Sequence, residues 1–159
     1  MENKTLNIQY NVLKHEELDS TDKQLVDLAI SATKCSYCKY SHFSVGAAVL
    51  LANGQKITGA NQENAAFPVT ICAERAAIFA AQTQYPDQPI LSIAIAAATP
   101  KGLLKTPITP CGSCRQVILG IEQRYNKPIR VILYGTDYIY IFKSIKDLIP
   151  FSFTDSDME

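Results

Sequence analysis

No segment of the chain approaches the ~20 continuous apolar residues of a membrane-spanning helix. The longest apolar stretch, Ile93 to Ala98, is strand-sized and rich in alanine. A surplus of one charge is also missing: Lys and Arg number 15, Asp and Glu 15, and the formal net charge is zero. A nucleic-acid binder needs a basic face to neutralise phosphates, so the balance argues against nucleic acid and for a small neutral ligand. No Ser/Gly run, charge block or repeat with a period of roughly 20–50 residues breaks the chain up. The first residues, Met1-Glu2-Asn3-Lys4-Thr5, lack the apolar core of a secretory leader, and the expected compartment is the reducing cytoplasm. Disulfides are scarce there. The five cysteines, Cys35, Cys38, Cys72, Cys111 and Cys114, are therefore read as metal ligands, catalytic groups or core residues.

What is present is ordinary globular material. Of the 159 residues, 47% are hydrophobic and 19% charged, which opposes disorder. At about 150 residues per domain the length predicts one domain over 1–159, with its motif-bearing core at about 20–153. The pattern predicts a first helix from Asp22 to Thr33, with Thr21 and Gln24 as a capping box. Strands follow at Phe43 to Leu51 and Lys56 to Ala60, joined at the turn signal Asn53-Gly54. An alanine-rich helix is expected over Ile71 to Gln82. The near-continuous apolar run Ile90 to Ala98 suits a strand covered on both faces. A helix over Gly112 to Arg124, strands at Ile129 to Tyr134 and Tyr138 to Phe142, and a short helix at Ser144 to Leu148 complete the order. The expected fold class is α/β: a single three-layer α/β/α domain whose central mixed five-stranded sheet carries helices on both faces.

The chemistry concentrates in Cys72-Ala73-Glu74 and Pro110-Cys111-Gly112-Ser113-Cys114. Both sit where a loop enters a helix. Free backbone N–H groups and the positive end of the helix dipole lower a thiol's pKa there and make it a better ligand. Cys111 and Cys114 lie one helical turn apart, so both sulfurs can reach one ion, and Cys72 can supply a third. Three protein ligands leave one tetrahedral position open, the mark of a catalytic zinc site. That position holds a water whose pKa the metal lowers. Glu74, two residues past Cys72, is placed to accept and return its proton.

These motifs resemble those of the small homotetrameric cytidine deaminases. The resemblance rests on Asn61-Gln62-Glu63-Asn64-Ala65-Ala66-Phe67, Thr70-Ile71-Cys72-Ala73-Glu74-Arg75 and Pro110-Cys111-Gly112-Ser113-Cys114-Arg115-Gln116-Val117. Tyr40 to Ala48 and Leu148 to Phe153 extend it to roughly Leu25–Phe153. The C-x-E and P-C-x-x-C pair is the zinc deaminase signature in its three-cysteine form. The resemblance implies one Zn²⁺ per subunit on Cys72, Cys111 and Cys114, with Glu74 as the proton shuttle. It implies that Asn61 and Glu63 hold a ribose hydroxyl, that Phe43 packs near the pyrimidine, and that Ala73 joins the substrate contacts. Phe153 would close a neighbouring subunit's pocket in a homotetramer with shared active sites. Arg75 would hydrogen-bond the thiolates and offset the net −1 charge that three of them leave on Zn²⁺. The implied reaction is hydrolytic deamination of cytidine or deoxycytidine to uridine or deoxyuridine, with ammonia released, a step of pyrimidine salvage.

Cys35 and Cys38 form a second C-x-x-C. A closed four-cysteine site with Cys111 and Cys114 would leave Cys72 and Glu74 idle and would span a gap far beyond the ~15–20 residues of compact zinc ribbons. The pair reads instead as packing thiols, with a redox pair as the alternative. His15 and His42 read as surface residues, and Arg115 and Gln116 carry no assignment. The chain departs from the family pattern at Cys38, Lys39, Phe67 and Pro68, all placed to touch selectivity and none to touch the metal. Two other functions stay open: a deaminase of this fold acting on another aminated nucleoside or base such as blasticidin S, and a non-catalytic zinc-stabilised RNA-binding module.

Overall fold

The computed structural model describes residues 1–158. Its strands are β1 (Asn11–Leu13), β2 (Ser44–Leu51), β3 (Lys56–Ala60), β4 (Ile90–Thr99), β5 (Gly102–Leu103), β6 (Arg130–Tyr134) and β7 (Ile139–Phe142). They form one sheet in the order β1-β7-β6-β4-β2-β3, with β5 paired to β4. The expected five strands are thus corrected to seven. The two additions are three and two residues long, too short to show a period-two pattern. β4 and β6 run parallel and every other pairing is antiparallel, so the sheet is mixed.

Three helices pack on it: α1 (Ser20–Ala32), α2 (Ala73–Gln84) and α3 (Gly112–Tyr125). α1 begins earlier than the sequence suggested because Asp19, not Thr21, caps it, its carboxylate accepting from Asp22 N at 2.8 Å. Asp and Thr are both good caps; here Asp22 is then free to turn inward and pair with Arg130 at 2.6 Å. The last expected helix is a single 3₁₀ turn, Ile145–Asp147. Among the described residues no helix is long and apolar enough to cross a membrane.

The pleat sorts the strand residues into two cores. Val49 and Leu51 of β2, Ile93 and Ile95 of β4, and Val131 and Leu133 of β6 meet Ala77 and Ile78 of α2 and Ile118 and Leu119 of α3. The alternate residues Ala48, Ala94, Ala96 and Ile132 meet Leu25, Val26 and Ala29 of α1. β4 is therefore buried on both faces, which is why its sequence shows no polar alternation.

Topology then brings the motifs together. β2 lies antiparallel to both β3 and β4, so β3 and β4 are parallel, and α2 joins them. α3 joins β4 to the parallel β6. Both crossovers step the same way across the sheet. Right-handed connections of that kind put their helices on one face, and α2 and α3 do share one core. Their N-termini consequently meet beyond the C-terminal ends of β3 and β4. Gly59 sets how closely α2 approaches: a Cβ there would lie 2.4 Å from Ala77 N and 2.5 Å from Ala73 O.

A buried carboxylate braces the far end. Glu122 of α3, only 4% exposed, accepts from Ile129 N at 2.8 Å, Ile145 N at 2.9 Å and Ser144 Oγ at 2.8 Å. Those bonds tie α3 to the segments flanking β6 and β7 and satisfy a group that would otherwise be costly to bury.

Candidate active site

Cys72 is the residue that caps α2, and Cys111 the one that caps α3; neither sulfur takes up a backbone N–H of its helix's first turn. Both are thus held by helix ends while their sulfurs stay free for another partner. Cys114 follows one turn into α3 and is fully buried. The three sulfurs lie within 4.8 Å of one another, and Cys72 Sγ is 3.8 Å from Cys111 Sγ. A tetrahedral ion about 2.3 Å from each sulfur requires sulfurs about 3.8 Å apart. This soft, three-thiol donor set fits one zinc ion and leaves a coordination position unfilled by the protein.

Without metal the sulfurs share their protons unequally. Cys72 is pulled down to about 5, foremost by the hydrogen bond it takes from the Cys114 thiol and then, against the cost of burial, by Arg75. Cys114 is pushed well up by that same bond and by burial. Arg75 Nη2 lies 3.9 Å from Cys72 Sγ and donates to the Thr70 carbonyl at 3.3 Å. Glu74, in the first turn of α2, is 4% exposed. Desolvation raises its carboxyl above the usual range, and the negative Cys72 sulfur adds to the effect.

A cleft of about 270 Å³ runs from the sulfurs to the start of β2, lined by Cys72, Cys111, Glu74, Phe43, Asn61 and Glu63 among others. Residues 61–63 also hold the segment that forms its outer wall. Asn61 Oδ1 accepts from Ser36 Oγ at 2.6 Å and Val45 N at 2.7 Å, while its Nδ2 donates to the Phe43 carbonyl at 3.0 Å. Gln62 Nε2 donates to the Cys35 carbonyl at 3.0 Å. Glu63 Oε2 accepts from Tyr40 N at 2.7 Å and Ser41 N at 3.2 Å. The Ser41 hydroxyl, ahead of these backbone bonds, holds the Glu63 carboxyl below the ordinary carboxylate range. His42, at φ 55°, turns the chain immediately before Phe43, a left-handed geometry that histidine adopts more readily than most residues.

Residues 19–127 match the family described as the cytidine and deoxycytidylate deaminase zinc-binding region. The chain belongs to this family. A cytidine deaminase of Halalkalibacterium halodurans is 40% identical over 138 residues, 86% of this chain and 98% of that protein. The crystal structure of the cytidine deaminase of Burkholderia pseudomallei superposes with a TM-score of 0.70 at 34% identity, covering 82% of this chain and 97% of that one. The Mycobacterium tuberculosis cytidine deaminase gives 0.64 at 28% identity, covering 86% and 99%.

The residues singled out in the sequence do not all meet in the cleft. Ala73 is wholly buried in the core under α2, and its side chain is packing. Phe153 is 61% exposed and lies outside the cleft; its carbonyl accepts from Gln116 Nε2 at 2.8 Å. Cys35 is exposed, Cys38 sits 3.2 Å from Ser44 Oγ, and neither joins the sulfur cluster. Phe67 stands exposed, edge-on to Tyr40 at 5.9 Å, in a hollow that shares Glu63 and Thr70 with the cleft.

Other cleft residues escaped the sequence reading. Thr70, Ile108 and Thr109 line it, on loops whose composition carries no signal beyond the adjacent cysteine motifs. Arg115 braces the deaminase loop: Nε donates to the Pro110 carbonyl at 2.8 Å, Nη1 to the Leu148 carbonyl at 2.5 Å and Nη2 to Thr109 Oγ1 at 3.0 Å.

Proposed function

We propose that the protein is a zinc-dependent hydrolase that deaminates cytidine and deoxycytidine to uridine and deoxyuridine, releasing ammonia. The observation that carries this reading is one cleft lined at one end by Cys72, Cys111 and Glu74 and at the other by Asn61 and Glu63. Zinc, when bound, lowers the pKa of a water in its open position and so supplies a nucleophile at neutral pH.

The residues divide the remaining work. Glu74 takes a proton from the water that adds to C4 of the ring. It returns that proton to N3, and a further transfer to the exocyclic nitrogen lets ammonia leave. Burial raises its carboxyl above the ordinary range, the direction that favours a group which must return a proton as well as accept one. A purely structural metal site has no use for such a carboxylate. Arg75 offsets the net −1 charge of three thiolates on Zn²⁺.

Donor and acceptor counts support the sugar end. Both lone pairs of Asn61 Oδ1 are taken and one Nδ2 hydrogen is used. Asn61 therefore has one N–H left to offer. Glu63, held ionised, is acceptor-only, and the Ser41 hydroxyl with the two backbone donors still leaves one of its roughly four acceptor sites open. One group meets both at once: a hydroxyl, accepting from Asn61 and donating to Glu63. Phe43 in the same lining supplies an apolar wall for the base.

One sheet flanked by two cores supports a single domain. Five free thiols support a reducing, cytoplasmic compartment, and hydrolysis of free nucleosides supports a role in salvage. Gln116 pins the tail at the Phe153 carbonyl while the ring stays outward, which supports a homotetramer in which Phe153 closes a neighbour's pocket. The deciding experiment is a panel of cytidine, deoxycytidine, cytosine, CMP, adenosine, guanine and blasticidin S followed by ultraviolet absorbance. Loss of the cytidine band with stoichiometric ammonia is expected; turnover of another member alone overturns the assignment. Truncation after Pro150, read by light scattering and turnover, tests the shared pocket, and full activity would exclude it.

A further inference from the structure

The hydroxyl of Ser36 occupies one of the two lone pairs of Asn61 Oδ1, at 2.6 Å. Ser36 follows the 3₁₀ turn Thr33–Cys35 that continues α1, and its own N–H bonds the Thr33 carbonyl at 3.3 Å. The hydroxyl thus comes from a braced position at the end of a helix. The second lone pair of Oδ1 takes Val45 N at 2.7 Å, and one Nδ2 hydrogen goes to the Phe43 carbonyl at 3.0 Å. Val45 and Phe43 fix which end of the amide is oxygen. Ser36 fills the remaining acceptor site, so that nothing but an N–H is presented to the cleft.

We propose that Ser36 is a positioning residue for substrate: by saturating Asn61 Oδ1 it makes Asn61 a pure hydrogen-bond donor aimed at a sugar hydroxyl. The inference rests on the reading of Asn61 and Glu63 as the sugar-binding pair. An amide whose oxygen is left half-satisfied takes up water and regains freedom about its side-chain torsions. The remaining N–H is then less well aligned, and the loss falls on binding rather than on the proton transfers at the far end of the cleft. The side chain touches neither the sulfurs nor Glu74, so kcat is insulated from the change.

The test compares two ligands in the zinc-loaded, full-length protein: cytidine, and 2′,3′-dideoxycytidine, which lacks the ring hydroxyls. Ser36→Ala is expected to raise KM for cytidine about three- to tenfold, the effect of one neutral hydrogen bond, with kcat unchanged. The dissociation constant of the dideoxy compound, measured as a competitive inhibitor, is expected to stay at the wild-type value. Ser36→Thr, which keeps the hydroxyl, is expected to restore KM. Equal weakening of both ligands overturns the proposal, because it marks general loosening of the loop. An unchanged KM for cytidine overturns it as well. A wild-type protein that binds both ligands equally well refutes the underlying sugar reading, and that outcome is recognisable before any variant is made.

Discussion

The Arg115 guanidinium donates to the carbonyl of Leu148 at 2.5 Å, across 33 residues of sequence. Its other nitrogens hold Pro110 and Thr109, the residues just ahead of Cys111. One side chain on α3 thereby fixes both the metal loop and the root of the C-terminal tail. Lysine has the charge but not the planar fork to reach three acceptors. Arg115→Lys is expected to cost about 2 kcal/mol, a fall in Tm of roughly 4–8 °C for a chain of this size. A thermal melt of the zinc-loaded variant checks this, and an unaltered Tm would show the three bonds to be incidental.

Glu74→Gln removes the proposed proton carrier and keeps the shape. Turnover of cytidine is expected to fall by about 10²–10⁴, while zinc content by elemental analysis stays at one per chain. A variant that turns over normally would end the proposed proton path; one that loses its zinc would make Glu74 a structural support for the thiols.

The Glu63 carboxyl is held below its ordinary value by Ser41 first and by the backbone bonds from Tyr40 and Ser41. A depressed folded-state pKa stabilises the protein above the unfolded value, near 4.5, and that contribution fades as pH falls through the folded value. Glu63→Gln should therefore be less stable than wild type at pH 7, with the gap closing in acid. Denaturant titrations at pH 7 and about pH 4 measure it. A gap that is constant or widens in acid contradicts the assignment.

Chelation should destabilise the protein reversibly, since a ligand bound only by the folded state adds to its stability by mass action. In the stripped protein Cys72, held at about 5, is the thiolate at neutral pH. It is expected to alkylate ahead of Cys114, which is both buried and pushed up, and bound zinc should protect it. Peptide mapping after brief iodoacetamide treatment identifies the site. Preferential modification of Cys114 would reverse the proposed sharing of protons.

The parts of this arrangement that follow local spacing were legible in the sequence. Cys111 and Cys114 announce themselves by falling on one turn, and Glu74 by following Cys72 at the head of a helix. The strand after the turn signal Asn53-Gly54 occupies Lys56–Ala60, the residues that the turn implies. What could not be read was set by partners far along the chain. β1 exists because its backbone completes the edge of β7, and three residues cannot advertise that. Ser36 and Arg115 look like ordinary polar residues until folding brings Asn61 and Leu148 to them. The side chain of Ala73 sat inside a strong motif but faces the core, because the helix that presents Cys72 and Glu74 to the cleft must turn another position inward.

Gly59 links strand packing to metal affinity. A methyl group at that position would press on the α2 backbone at 2.4 Å, where about 3.4 Å is ordinary contact, so the helix would have to retreat by about an ångström. Cys72 rides on that helix; Cys111 and Cys114 ride on another. The displacement would therefore enter the gap between sulfurs directly, whereas metal–ligand distances tolerate about ±0.2 Å. A substitution on a strand, with no ligand atom of its own, would spoil the grip on zinc while most of the fold stood. The strength of that grip is thus gauged in part by a side chain the protein does not have.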